Sequence, residues 1–167
     1  PYTVGDGRWR LKTSLEGVDP RYLTMLVGLE DRRFYEHNGV DLRAMLRATW
    51  QAVWNRRVVS GASTITMQVA RLLEDGPTGE WDGKLRQIRL ALALERRLSK
   101  AQILSLYVNR APFGGNLEGL RAASRAYFAK PPKRLSIAQA ALLVALPQSP
   151  ERRRPDRNSA AATLARD

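Results

Sequence analysis

The sequence predicts a mostly α protein. Several segments carry apolar residues at helical spacing, capping signals and Pro or Gly breakers bound those segments, and no stretch alternates apolar and polar residues as a half-buried strand does. Asp19 is a plausible N-cap with Pro20 at the first helical position, and Leu23, Leu26, Val27 and Leu29 extend a helix over 19–30. A polar, aromatic loop follows over 31–41. Met45, Leu46, Trp50, Val53 and Trp54 lie on a second helix over 42–56, which Ser60-Gly61-Ala62 breaks. Ser63 or Thr64 can cap a third helix reaching about Glu74, and Asp75-Gly76-Pro77-Thr78-Gly79 reads as a loop.

The most apolar helix falls at roughly 83–98. Leu85, Ile88, Leu92 and Leu98 share a register with Leu90 and Leu94 beside them, a surface wide enough to predict a central, nearly surrounded helix. Ser99 with Gln102 and Ser136 with Gln139 are capping boxes that open two further helices. The first stops before Pro112 and Gly114-Gly115. Another near 117–128 ends before Pro131-Pro132, and the last runs through 140–144 to Pro147. Arg152-Arg153-Arg154-Pro155 reads as a basic tail without apolar period.

A chain of 167 residues suits one domain, 1–167, with a real core. Lys and Arg number 28 against 16 Asp and Glu, a net charge of +12, which points to an anionic partner: nucleic acid, a phosphate-bearing substrate or a membrane face. The absence of Cys excludes disulfides and thiolate metal sites, and a single His excludes a multi-histidine site. No segment approaches the ~20 apolar residues that span a bilayer. The opening Pro1-Tyr2-Thr3-Val4 has no signal-peptide pattern, so the chain reads as an excised domain without its anchor.

Three constellations carry candidate chemistry. In the first, Glu30-Asp31-Arg32-Arg33-Phe34-Tyr35-Glu36-His37-Asn38-Gly39-Val40-Asp41, a carboxylate ends an apolar helix and meets a polar loop. Partial withdrawal from water at such a place suits a general base, but the adjacent arginines act the other way, and from composition alone a solvated helix end with local ion pairs is the stronger reading. In the second, Gly61-Ala62-Ser63-Thr64-Ile65-Thr66-Met67-Gln68-Val69-Ala70-Arg71, a small-residue turn runs into a hydroxyl-rich helix start. That arrangement suits a phosphate or sugar oxygen, or is an ordinary cap. In the third, Lys84-Leu85-Arg86-Gln87, cations stand at a helix start, where either an anion or water compensates them.

Taken in order, these residues resemble glycosyltransferase family 51, the peptidoglycan polymerase domain of bifunctional penicillin-binding proteins. Glu30, Asp31, Phe34, His37, Gly39 and Asp41 match its first motif, and Gly61, Ser63, Thr64, Ile65 and Gln68 its second. Ser99-Lys100, Ile103-Leu104, Tyr107, Asn109 and Phe113-Gly114 are similar to a later motif. So are Ala122-Ala123, Tyr127-Phe128, Lys130, Ala140 to Leu143 and Leu146-Pro147, and the likeness spans roughly 8–155. Met67 stands where most of the family has Gln, and Gln87 where it has a second carboxylate. With Gly83-Lys84 and 109–115, these departures resemble the penicillin-binding protein 1C subtype.

The resemblance implies a lysozyme-like helical head with a smaller membrane-facing jaw. It implies an inverting transfer from a growing glycan on undecaprenyl pyrophosphate to lipid II, with Glu30 as the base. Asp31, Arg47, Ser63, Thr64, Gln68, Arg71, Lys84, Arg86 and Gln87 are the implied substrate-binding residues, and His37 and Glu95 are read as structural. No cofactor is required by the chemistry. A divalent cation, Mg or Mn, at the pyrophosphate would be an addition, and Gln87 in place of a carboxylate weakens the case for it. Implied partners are lipid II, the growing glycan chain, an anionic membrane surface and moenomycin-type inhibitors. The implied location is the outer face of the bacterial cytoplasmic membrane.

Nucleic acid is not an expected partner, because the charges cluster near the Gly-Ser-Thr turn and Lys84 rather than along one face. Neither Ser-x-x-Lys nor Lys-Thr-Gly occurs, so this stretch holds no transpeptidase site, and whether such a domain follows is left open. A catalytically inert scaffold of the same fold and a glycan-cleaving enzyme are the rival readings. The jaw is expected at about 42–60, where an apolar, tryptophan-bearing helix side is accompanied by Arg43, Arg47, Arg56 and Arg57. Packing of both tryptophans into the core is the alternative.

Overall fold

The computed structural model describes residues 7–55, 63–74 and 81–166, with nothing described of the side chains of Thr49, Ala52, Val53, Asn55, Trp81 and Asp82. Eight α-helices are present among these residues: α1 Pro20–Glu30, α2 Leu42–Asn55, α3 Ile65–Leu73, α4 Trp81–Glu95, α5 Lys100–Arg110, α6 Leu120–Phe128, α7 Ile137–Ala145 and α8 Ser159–Arg166. The mostly α class is as expected. The Gly61-Ala62 turn, the 75–79 loop, Arg56 and Arg57 lie outside the described residues.

The helix starts follow their capping chemistry. Asp19 Oδ1 accepts from the Arg21 amide at 2.9 Å, and the Arg21 guanidinium, forked onto the same carboxylate, holds Asp19 below the usual carboxylate range. Thr64, rather than Ser63, caps α3. Both capping boxes form: Ser99 Oγ accepts from Gln102 N while Gln102 Oε1 accepts from Ser99 N, and Ser136 with Gln139 repeats the pattern. Each such cap is worth about 1 kcal/mol.

The chain divides into two compact units. One comprises residues 1–26 and 105–167. Its core includes Tyr22, Tyr107, Phe113, Leu120, Leu143 and Leu146. Two features here depart from expectation. A two-residue parallel pair joins β1 (Trp9–Arg10) to β2 (Leu117–Glu118), too short to leave an alternating pattern in the sequence. The basic tail is structured: Arg153 Nη1 donates to Ala145 O at 2.7 Å, and beyond it α8 packs on α7 through buried Ala162. Alanines carry that contact, so no apolar period marked it.

The second unit, residues 27–104, holds the three constellations with candidate chemistry. Here α3 packs on α4, with Met67, Ala70 and Ala91 buried together and Ile88, Leu90 and Leu94 against them. The expectation of a surrounded α4 fails. Leu85 is 54% exposed and Leu92 37% exposed, and the buried stripe is instead Gly83, Gln87 and Ala91. Positions i, i+4 and i+8 share a helix face, and small residues on it let α3 approach closely. Composition favoured the leucine stripe; backbone proximity selected the small one.

On α2 the apolar row is Leu42, Leu46, Trp50 and Trp54, each at least 65% exposed. The Trp50 and Trp54 rings stack with centroids 5.6 Å apart. The alternative that these tryptophans enter the core is therefore overturned.

Candidate active site

The candidate site is built where α1 ends and α3 begins, and the 31–41 segment supplies its frame. Asp31 is buried, and its carboxylate accepts from the Ile65 amide at 3.0 Å and from His37 Nε2 at 2.9 Å. A carboxylate at the first turn of α3 satisfies an orphan N–H and complements the helix dipole. Burial pushes Asp31 above the ordinary carboxylate range, and the bonds from Ile65 and His37 offset part of that rise. The Gly39 amide donates to His37 Nδ1 at 3.1 Å, so the ring proton lies on Nε2 and points to Asp31. His37 is structural, as expected.

Gly39 is required at its position. Its φ is +94°, and a Cβ there would stand 2.8 Å from the Ala91 carbonyl oxygen of α4. The Gly39 carbonyl accepts from Thr64 Oγ1 at 2.6 Å, and Thr64 Oγ1 accepts in turn from Met67 N. Asp41 closes the segment by accepting from Ala44 N at the start of α2. A second network lies behind: Glu95 Oε1 accepts from Thr66 Oγ1 at 2.7 Å and from Lys100 Nζ at 2.6 Å, and Lys100 also donates to His37 O. Glu95 thus has the buried partner expected of it. Lys100, which sits 4.6 Å over the Phe34 ring, was not foreseen as the group joining these networks.

On this frame stand the groups with chemical capacity. Glu30, the last residue of α1, is partly exposed, and its Oε2 accepts from Gln68 Nε2 at 2.8 Å. Arg71 is three residues beyond Gln68 and shares its face of α3. Lys84 Nζ donates to Ser63 Oγ at 2.7 Å. Burial, and then the charge of Arg71, hold the Lys84 amine below its ordinary range. Two cations near enough to repel one another have a use for an anion between them. The surface therefore offers a held carboxylate, a hydroxyl and a paired cationic patch.

Not every expected residue joins it. The Asp31 carboxylate and the Thr64 hydroxyl are spent inside the protein, because a loop and a helix start need their hydrogen bonds satisfied there. Gln87 falls on the buried stripe of α4. Arg86, two positions from Lys84, is exposed and points to a different side of α4. Arg47 is exposed on α2. Among the described residues no three His, Asp or Glu side chains converge as metal ligands.

A family model described as transglycosylase matches residues 2–167. The chain belongs to the transglycosylase family. The chain is 52% identical to penicillin-binding protein 1C of Escherichia coli strain K12 over 166 residues, 99% of this chain and 21% of that relative. It is 38% identical to penicillin-binding protein 1A of Pseudomonas aeruginosa over 87% of this chain and 18% of the relative. Penicillin-binding protein 4 of Bacillus subtilis is 37% identical over 88% of this chain and 24% of its own length. The chain thus spans about a fifth of the length of the curated relatives it matches. The greater identity to the 1C protein than to the other two agrees with the resemblance to that subtype.

Proposed function

We propose that this transglycosylase polymerises peptidoglycan glycan strands, joining a lipid-linked growing chain to lipid II with release of undecaprenyl pyrophosphate. The observation that carries the reading is the Glu30 carboxylate, fixed by Gln68, in the unit that also sets Lys84 against Ser63 beside Arg71. Glu30 takes the proton from the acceptor's 4-hydroxyl as that oxygen bonds to the donor's anomeric carbon. The anomeric bond to pyrophosphate breaks on the opposite side and the configuration inverts. Pyrophosphate departs as an anion without needing a second acid, unlike the leaving group in glycoside hydrolysis. The charge growing on it is met by Lys84 and Arg71, with Ser63 as a hydrogen-bonding neighbour.

Asp31 and Thr64 serve this reaction by holding the frame, not by touching substrate. Phosphoglycolipids of the moenomycin type would compete for the cationic patch. The exposed row on α2, with Arg43 and Arg47 beside it, suits an anionic membrane face, and the reaction belongs on the outer side of the cytoplasmic membrane. Among the described residues no helix is long and apolar enough to cross a membrane. The penicillin binding named for the relatives requires sequence outside this stretch, which lacks Ser-x-x-Lys and Lys-Thr-Gly.

Polymerisation of labelled lipid II in detergent tests the proposal, with Glu30→Gln as control. Glycan product from the wild type and at least ~100-fold less from the mutant are expected, the low end for loss of a general base. Equal product from both, or cleavage of purified glycan strands instead, overturns it.

A further inference from the structure

A cavity of about 450 Å³ lies between the 33–43 segment and α4, within the size range of small-molecule sites. Its lining shares His37 with the frame of the candidate active site and includes none of Glu30, Gln68, Ser63 or Lys84. Val40, Leu42, Ile88 and Leu92 form its apolar walls, and Arg33 and Arg43 its cationic ones. The two arginines differ. Arg33 Nη2 lies 3.4 Å from Asp41 and Arg33 Nε 3.2 Å from Glu36, so its charge is already met. Arg43 is exposed and has no acidic partner among the described residues. It also stands in the first turn of α2, where a cation opposes the helix dipole and an anion would relieve both.

Leu42 connects the cavity to the outside. It is 68% exposed and begins the row continued by Leu46, Trp50 and Trp54. A soluble phosphate would satisfy Arg43 and leave the apolar walls wet, whereas a neutral lipid would cover the walls and leave Arg43 uncompensated. An anionic amphiphile matches both halves.

We propose that this cavity binds one anionic phospholipid of the surrounding bilayer, its phosphodiester on Arg43 and an acyl chain along Val40, Leu42, Ile88 and Leu92. The inference rests on the membrane placement proposed above. The bilayer lipid is favoured over the prenyl chain of a substrate because the groups assigned to the substrate pyrophosphate are absent from the lining. A lipid seated here bridges α2 to the 33–43 segment and α4, so it would orient the domain rather than take part in the chemistry.

The test is native mass spectrometry of the chain released from phosphatidylcholine nanodiscs doped with phosphatidylglycerol. One retained phosphatidylglycerol per chain is expected. Arg43→Glu, a surface change that leaves the core intact, should weaken retention about tenfold or more, the scale expected when a cation facing an anionic headgroup is replaced by an anion. Ile88→Trp fills the cavity while leaving Arg43 and the α2 residues Leu46, Trp50 and Trp54 in place, and should abolish retention while vesicle association persists. Equal retention of phosphatidylcholine and phosphatidylglycerol, or wild-type retention by both variants, overturns the proposal. So does displacement of phosphatidylglycerol by stoichiometric undecaprenyl phosphate, which would assign the cavity to a prenyl chain. Both variants should polymerise lipid II in detergent within about twofold of wild type, consistent with a site outside the machinery. A wild type that retains lipid but makes no glycan would sink the polymerase reading and leave this site standing.

Discussion

Glu30 Oε2 and Gln68 Nε2 are hydrogen-bonded at 2.8 Å across 38 positions of sequence, joining the end of α1 to α3. That bond holds one oxygen of the Glu30 carboxylate against α3. Gln68→Ala removes the tether and leaves the carboxylate in place. Turnover on lipid II should fall roughly tenfold, less than for loss of the base itself, with little change in KM. Gln68→Glu should instead move the acid limb of the activity profile to higher pH, because two carboxylates at that distance cannot both ionise. An unchanged limb would remove Gln68 from the positioning role.

Lys84 carries a distinct pH signature. Burial and Arg71 lower its proton affinity, and its function as countercharge requires the proton. Activity and moenomycin-type inhibitor binding should both be lost as pH rises through a value below the ordinary lysine range of about 10.4. Arg71→Gln removes one of the two causes and should shift that limb upward, while Lys84→Arg should abolish it within the accessible range. Inhibitor affinity measured by calorimetry should fall at least tenfold in Lys84→Ala and far less in Arg86→Ala, whose side chain leaves α4 in another direction.

Asp31 bears on stability rather than on the reaction. Asp31→Ala leaves the Ile65 amide and His37 Nε2–H without their acceptor inside the protein. About 2–4 kcal/mol should be lost in urea unfolding. The sign with pH is also fixed. Because the folded-state pKa is raised, folded Asp31 binds its proton more tightly than unfolded Asp31. This group's contribution therefore falls as pH rises from the ordinary carboxylate value of about 3.9 through the raised one, and the mutant should lack that slope.

Trp50 and Trp54, two of the four tryptophans, are 65% and 75% exposed and stacked on one another. Adding anionic vesicles should shift tryptophan emission to the blue. The shift should shrink in the Trp50→Ala, Trp54→Ala double mutant, whose unfolding midpoint should stay near wild type because little core is removed. A double mutant that keeps the full shift would separate this row from the membrane.

The sequence by itself determined α1 to α7 and where they start, because capping and breaking are local: Asp19, Thr64, Ser99, Ser136 and the prolines act within a few residues of themselves, whereas α8, packed through an alanine, left no such mark. It determined the family too, since the ordered motifs are read without coordinates. Which members of those motifs face outward was decided only by tertiary structure. Asp31 and Glu30 are adjacent in sequence and alike in chemistry, yet one carboxylate caps α3 in the interior and the other meets Gln68 at a partly exposed site. Gln87 and the leucines of α4 exchanged their expected places for the same reason. A helix buries the face on which its neighbour's backbone can come closest, and that is a property of the pair, α3 with α4, which neither segment encodes alone.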